Sequence, residues 1–390
     1  MKYFIIDAET TIKNRGEDAI GDMPASPYYK DNKIVLLGER QGGRNWIYAT
    51  PPICALPHFM ATGLKENVLL IGHNISFDLK YIQKHWPITY ADMKPNIFIW
   101  DTQQVAYLLS GQSWMYPSLD DCCNEIGFEL KDEKIKEYWE NGVDTELIPM
   151  GELKPYLEHD LEATEAVFRY QYDLVSRDKK LFNLVKVKMD DILATVEMEN
   201  NGMEFDLVEA HSLATRNDFA MILHKSSAEG LVRHHFVKLF DFNPMSNEHV
   251  SLALFGGKYS IRECVNVLDT SGNPQSYKTG ARKGQIKTKM TDVEYITKGF
   301  GLTPPTRLSP DRKGNYSVAE DVLKEFESLP FVHNILRIRE LTKENETYYR
   351  GYSKLVWPDG KIHGSIGHVG TRTGRNNHSK PNLGNVTREE

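Results

Sequence analysis

The chain is short of cysteine and of long apolar runs, and both shortages narrow what it can be. Its 390 residues hold four cysteines; Cys122 and Cys123 are adjacent, while Cys54 and Cys264 stand alone. No C-x-x-C pair or Cys/His ladder occurs. A disulfide-stapled fold and a structural zinc site are thereby excluded, and reduced thiols in a cytoplasm are expected. No stretch approaches the roughly 20 apolar residues that cross a bilayer, and no signal peptide precedes the first apolar run, so no membrane partner is expected. At 40% hydrophobic and 26% charged residues the composition is that of an ordinary soluble chain, long enough for two or three domains.

The net charge of −7 conceals an asymmetry. Residues 1–178 carry 17 basic and 28 acidic residues, a balance of −11, whereas 179–390 carry 30 and 26, a balance of +4. Residues 275–313 hold nine basic residues against three acidic. Acid in front and base behind fits a metal-dependent domain joined to one that touches phosphate. It fits other two-domain proteins as well.

The first nine residues organise the rest. Phe4-Ile5-Ile6 lies in an apolar run that reads as a strand buried on both faces. Asp7 and Glu9 follow at i and i+2, so both carboxylates project to one side of its end. Like charges held so close need compensation, and hard oxygen ligands suit Mg²⁺ or Mn²⁺. Strands are expected at Lys33–Glu39, Asn45–Ala49, Val68–Ile71 and Ile97–Trp100. Helices are expected near Pro57–Lys65, from Ser76, from Gln103 to Leu109, and from Glu152 to Ser176. The stretch from Ser118 to Glu146 is weakly patterned. Asp78 falls in the first turn after a buried strand, and Tyr156 and Asp160 stand one helical turn apart. Asp101 reads as a supporting acid or as a helix N-cap. His73 and His159 read as packed or solvated histidines, and Asn74 as a turn or cap residue.

Asp7-x-Glu9, Asn74-Ile75-Ser76-Phe77-Asp78 and Tyr156-x-x-x-Asp160 resemble, in order, the three motifs of the DEDD 3′→5′ exonucleases. Pro155 stands where a His-type member has histidine, so the likeness is to the Tyr-type subgroup found in family A DNA polymerases. The resemblance implies a ribonuclease-H-like α/β fold and two divalent ions, Mg²⁺ with Mn²⁺ as substitute, held by Asp7, Glu9, Asp78 and Asp160. Asp7 would bridge the ions and Asp78 support the second through water. Tyr156 would orient the attacking water, with core packing as its other reading. Thr10 would approach the terminal nucleotide.

From Lys179 the composition turns to amphipathic helices, Leu181–Asn200 and Asp206–Gly230, parted by Asn201-Gly202. Residues 197–206 and Phe242–Ser246 resemble landmarks of the family A polymerase thumb. Residues 256–301 form a basic insertion, read as a flexible hairpin or loop that meets duplex phosphates through residues such as Lys283 and Lys287, or else as a solvated insertion. Ser317-Val318-Ala319-Glu320 reads as a capping box opening a helix to Ser328. Phe331–Tyr352 reads as a helix carrying Arg337, Arg339, Lys343, Tyr348 and Tyr349. Thr373-Gly374-Arg375 and Pro381–Val386 resemble the segment entering the polymerase palm, with Gly384 and Val386 departing from the family's pattern. Arg375 would then reach the minor groove near a primer terminus; without the resemblance, Arg372 and Arg375 read as phosphate-binding.

The expected architecture is an exonuclease domain over 1–178, a mostly α-helical thumb over 179–355, and the start of a polymerase palm over 356–390. Its expected partners are a single-stranded DNA 3′ end and primer–template duplex. Because the resemblance stops before the palm carboxylates and the fingers, synthesis is expected to need that missing part, carried on a second polypeptide or, if Glu390 is the end of a truncation, on the rest of the same chain. Two rival readings stand beside this one: a non-catalytic DNA-binding or assembly subunit, and a free-standing nuclease acting on RNA.

Overall fold

The computed structural model describes residues 1–385, except residue 18 and residues 51–55, 87–95, 130–133 and 237–241. Cys54, Val386 and Glu390 therefore lie outside the described residues. The chain divides into two compact units, Met1–Asp206 with Tyr352–Glu390, and Leu207–Gly351.

In the first unit β1 (Lys2–Thr10) is the middle of five strands, because Phe4, Ile5 and Ile6 are apolar in succession and are buried on both faces. β2 (Ile34–Gln41) and β3 (Arg44–Ala49) turn back antiparallel through Gly42-Gly43, both at positive φ. β4 (Val68–Gly72) and β5 (Ile97–Asp101) run parallel to β1, giving the order β3-β2-β1-β4-β5. Before β4 comes α1 (His58–Gly63), and α2 (Ser76–His85) is the crossover from β4 to β5. Then follow α3 (Thr102–Leu109), α4 (Leu119–Ile126), α5 (Lys134–Glu140), α6 (Met150–Ser176), α7 (Lys179–Asn201) and the short strand β6 (Met203–Glu204), which pairs antiparallel with Lys361–Ile362. The weakly patterned stretch thus contains a well-defined helix: Ser118 and Asp121 close a capping box on α4.

α6 packs on β1 and β2, and α7 on β5 and α2. Sequence periodicity put α7 with the thumb, yet Val185, Met189, Ile192, Leu193 and Val196 are buried in the same core as the sheet. The boundary between compact units accordingly falls after Asp206, not after residue 178. The C-terminal segment returns to this unit through Glu199. The Glu199 carbonyl accepts from His363 Nδ1 (2.6 Å), and its carboxylate accepts from Ile366 N (2.6 Å) and Lys80 Nζ (2.5 Å).

The second unit is built on α8 (Leu207–Val232) packed against α11 (Pro330–Lys343), with α9 (Asn247–Phe255) and α10 (Glu320–Lys324) beside them. Its core includes Ala228, Phe242, Leu252, Phe331 and Ile335. The basic insertion is a β-hairpin, β7 (Gly257–Asn266) against β8 (Thr288–Thr297), in unbroken register. The capping box expected at Ser317 does not form. α10 starts after Ala319 and ends at Lys324, and no side chain caps it. Tertiary contacts claim residues 316–318 instead: Ser251 Oγ accepts from Tyr316 N (2.9 Å), Val318 is buried, and Arg339 donates to the Val318 carbonyl (2.7 Å). Arg339 is thereby committed to contacts within the fold. Beyond Lys343 the helix widens into a π turn, Glu344–Tyr349, where the buried Asn345 amide donates to Ala214 O and Asp218 Oδ1.

One buried acid generates a pH prediction. Glu39 in β2 is wholly buried and accepts the His58 N–H at the start of α1 (3.2 Å). Burial lifts its carboxyl to about 7, against backbone N–H groups of Phe59 and His58 and the Tyr48 hydroxyl, which pull it down. A folded-state value above the unfolded one favours folding only while the acid is protonated, so this contribution fades as pH rises from about 4.5 to about 7. Glu39→Gln should flatten that part of the stability–pH curve and stabilise the protein by about 2 kcal/mol at pH 8. Denaturant melts across the range provide the check, and a wild-type slope retained in the variant would refute it.

Candidate metal centre and adjoining cavity

β1 delivers Asp7 and Glu9, and α6 delivers Asp160, so that one oxygen from each lies within 4.8 Å of the others. Glu9 and Asp160 are buried and Asp7 is half-buried. Three carboxylate oxygens at this spacing form a hard, anionic donor set that fits a Mg²⁺- or Mn²⁺-class cation. Asp78, in the first turn of α2, is buried beside them and accepts the Ala8 N–H at 3.0 Å. Burial, and after it the charge of Asp7, hold the Asp78 carboxyl well above the usual range, with the Ala8 N–H opposing. The sequence-derived acids therefore meet at one end of β1, with Asp78 set apart from the three-oxygen cluster.

Two features seat α6 so that Asp160 arrives there. Opposite Asp7 on β2 stands Gly38, where an added Cβ would come within 2.8 Å of Leu161 Cδ1 and 3.1 Å of Leu157 Cγ. A glycine there lets the helix lie directly on the strand. One turn further along α6, Glu165 accepts from Tyr3 Oη (2.7 Å) and Arg40 Nε (2.6 Å), and Arg169 closes the cluster at 2.7 Å. Burial pushes the Glu165 carboxyl up, but the three donors outweigh it and hold it below the usual carboxylate range.

Tyr156 is half-buried one turn before Asp160, its ring edge-on to Trp139 at 5.7 Å. Burial and then the charges of Asp160, Glu9 and Asp7 raise its phenol far above neutral pH, so it remains a proton donor. The other sequence candidates sort as follows. Asp101 is a cap: its carboxylate accepts from Gln103 N, Gln104 N, Asn74 N and Ile75 N at 2.9–3.2 Å, and burial lifts it to about 6 despite those donors. Asn74 sits in a turn at φ 56°. His73 is held by Thr102 Oγ1 and Pro117 O, and His159 stands edge-on to Phe128. Thr10 is buried with its hydroxyl engaged by Tyr81. Arg372 and Arg375 are exposed on a turn docked by Tyr107 Oη to Thr371 O (2.6 Å) and Lys188 Nζ to Gly374 O (3.3 Å). Gly374 has φ 70°, and a Cβ there would meet Gln112 Nε2 at 2.6 Å, which accounts for the glycine between Thr373 and Arg375. Lys283 is exposed and Lys287 half-buried in the turns beyond β7 and β8.

Sequence reasoning missed a cavity of about 440 Å³ within the first unit, beginning at the turn that carries Asp78. Asn74, Phe77, Lys80, Gln104, Tyr116 and Glu199 are among its walls, and Tyr28 stacked on His363 at 3.9 Å forms part of another. Gln104 is 1% exposed, and neither its Nε2 nor its Oε1 has a protein partner. A volume of this order suits a nucleotide-sized ligand. Its walls come from residues far apart in the chain, and no local pattern marks them.

The steric argument at Gly38 is testable. Gly38→Val should lift α6 from β2, cost about 1–3 kcal/mol of stability, and weaken Mn²⁺ binding about tenfold or more by displacing Asp160. Calorimetric titration beside thermal melts is the measurement; unchanged Mn²⁺ affinity would show that α6 is seated by other contacts.

Comparison with known proteins gives the context. Residues 293–390 match the model of DNA polymerase family A. DNA polymerase I of Treponema pallidum is 24% identical over 324 residues, 82% of this chain and 26% of that protein. The DNA polymerase of Escherichia phage T5 is 23% identical over 341 residues, 83% of this chain and 35% of that protein. DNA polymerase I of Chloroflexus aurantiacus is 41% identical over 90 residues, 22% and 10% of the two chains. Among solved structures, the POL domain of Pol1 from M. smegmatis, in complex with DNA primer–template and dNTP, superposes with a TM-score of 0.57 at 16% identity. That match covers the whole of this chain and 53% of the other, and at such identity it speaks for the fold alone. The chain thus spans between a tenth and about half of the proteins it matches. Residues 293–390 are thus similar to the family A DNA polymerases.

Proposed function

We propose that this chain is the 3′→5′ exodeoxyribonuclease part of a family A DNA polymerase, a ribonuclease-H-like domain that trims DNA 3′ ends as a proofreader. The observation that carries the proposal is the convergence of Asp7, Glu9 and Asp160 within 4.8 Å. Buried acids so arranged destabilise a fold unless a cation is bound. Asp7, Glu9 and Asp160 would hold one ion, and Asp78 would support a second. Divalent ions bound there supply an activated water and charge neutralisation for phosphodiester hydrolysis.

The chain's own residues do the rest. Tyr156, protonated at working pH, donates a hydrogen bond to the attacking water and fixes its direction. The cavity beside Asp78 receives the terminal nucleotide, with Phe77 and Tyr116 as apolar walls and the Gln104 amide as a donor and acceptor. Arg372 and Arg375, exposed on their docked turn, face DNA. The comparisons lend no support to a second polypeptide, and the proposal does not require one.

The test is cleavage of 5′-labelled DNA and RNA oligonucleotides with and without Mg²⁺. Metal-dependent shortening of DNA is expected. Preference for RNA would favour the free-standing RNA nuclease, and no cleavage at all would favour the DNA-binding subunit. Asp7→Ala should abolish cleavage while stability in metal-free buffer holds or rises, since one of the repelling acids is gone. Wild-type cleavage by that variant would overturn the site assignment. Tyr156→Phe should slow single-turnover cleavage about tenfold to a hundredfold while Mn²⁺ binding stays intact. Equal rates would return Tyr156 to packing against Trp139.

A further inference from the structure

The β7–β8 hairpin has a charge distribution that its fold does not use. Its root is integrated: Tyr259 is buried, Tyr259, Ile261 and Tyr295 join the core of the second unit, Lys258 pairs with Glu294 at 2.9 Å, and Arg262 faces Asp292 across the ladder. Beyond Arg262 and Thr291 no hairpin residue belongs to that core. From Thr270 to Thr291 the chain holds five basic residues, Lys278, Arg282, Lys283, Lys287 and Lys289, and no acidic one. None of the five has an ion-pair partner among the described residues.

The cationic end is folded. Past Asn266 the ribbon continues as two small turns. One, closed by Leu268 opposite Pro274, is tied by the Asp269 carboxylate to Ser271 N and Asn273 N (both 2.9 Å). The other runs from Gln275 to Lys287 round Gly280–Lys283 and is held by Tyr277 N to Gln285 O (2.9 Å) and Lys287 N to Gln275 O (2.7 Å). Lys287 lies over the Tyr277 ring at 5.8 Å. A solvated insertion has no need of this order, and beyond the Glu263–Thr291 rung the ribbon holds a single acid, Asp269, engaged in its own turn. Ten paired residues extend about 33 Å, and two strands about 5 Å apart are narrow enough to lie along a DNA groove.

We propose that this hairpin is an arm that grips the phosphate backbone of duplex DNA without reading its sequence, through Lys278, Arg282, Lys283, Lys287 and Lys289. Its charge matches a polyanion of regular spacing. Binding by the arm is independent of the nuclease reading and is measured in EDTA, where no cleavage occurs.

The experiment is fluorescence anisotropy of the full chain with a blunt duplex of about 20 base pairs, between about 50 and 200 mM salt. Arg282→Ala, Lys283→Ala, Lys287→Ala and Lys289→Ala together should weaken binding at least about tenfold and flatten the slope of log K against log salt by about two to four. Arg282→Lys, which keeps the charge, should bind as the parent does. A second variant replaces residues 267–287 by Asn-Gly, a two-residue turn suited to the preserved β7–β8 register, and should lose the same increment. Melting curves check folding of each. Unchanged affinity and slope in both variants would overturn the proposal. So would undiminished duplex binding coupled with lost binding to polyglutamate, which would assign the arm to an acidic protein.

Discussion

The contact on which the first unit depends is that of α6 lying on β2 over Gly38. A sheet and a helix ordinarily stand apart by the thickness of two side-chain layers. Here one layer is missing where Asp7 meets its neighbour, and Leu157 and Leu161 fill the space that a Cβ would take. The close approach places Asp160, on the same helix, against the end of β1. The Glu165 cluster then fixes the helix along its axis, because Tyr3 is on β1 and Arg40 on β2. Hydrophobic packing sets the distance and charged hydrogen bonds set the register. The first is insensitive to axial sliding, and the second tolerates none.

Such a seat is needed because the acids cannot hold themselves together. Asp7, Glu9, Asp160 and Asp78 repel one another, and burial removes the water that would screen them. The apolar core beneath therefore supplies the free energy that keeps them adjacent in the absence of a cation. The geometry of the cluster is held against that repulsion by the core, and a bound ion would relieve it. Tyr156 belongs to the same balance: burial and the charges of the acids raise its phenol and so keep it a donor.

Much of this was legible in the sequence where local rules govern. The apolar run of β1, the i and i+2 spacing of Asp7 and Glu9, and the helical spacing of Tyr156 and Asp160 are one-dimensional patterns with a direct structural meaning. What failed was decided by distant partners. Helical periodicity announced α7 but not the surface it covers, and Met189 and Ile192 turned out to pack beneath the sheet. Ser317 to Glu320 has the form of a capping box, yet Ser251 and Arg339 claim the backbone that would have opened the helix. Ser118 and Asp121, with no such competitors, close the box on α4. The cavity around Gln104 lay beyond reach for the same reason. Lys80 and Glu199 meet across 119 residues, and His363 joins them from further still.

The two units carry opposite electrostatic debts, and the difference in burial decides how each is met. Around Asp7 the uncompensated charge is negative, desolvated and confined to a few ångströms, so a small, hard, multiply charged ion is the complement that fits. Along the β7–β8 hairpin the excess is positive, solvated and spread over a ribbon. There each cation costs little when unpaired, and only a partner presenting many anions at once gains much by displacing its own counterions. A point charge would be a poor complement to the arm, and a polyanion could not enter the carboxylate cluster. Sign, burial and spacing together thus separate a centre complementary to one small cation from a surface complementary to a polyanion.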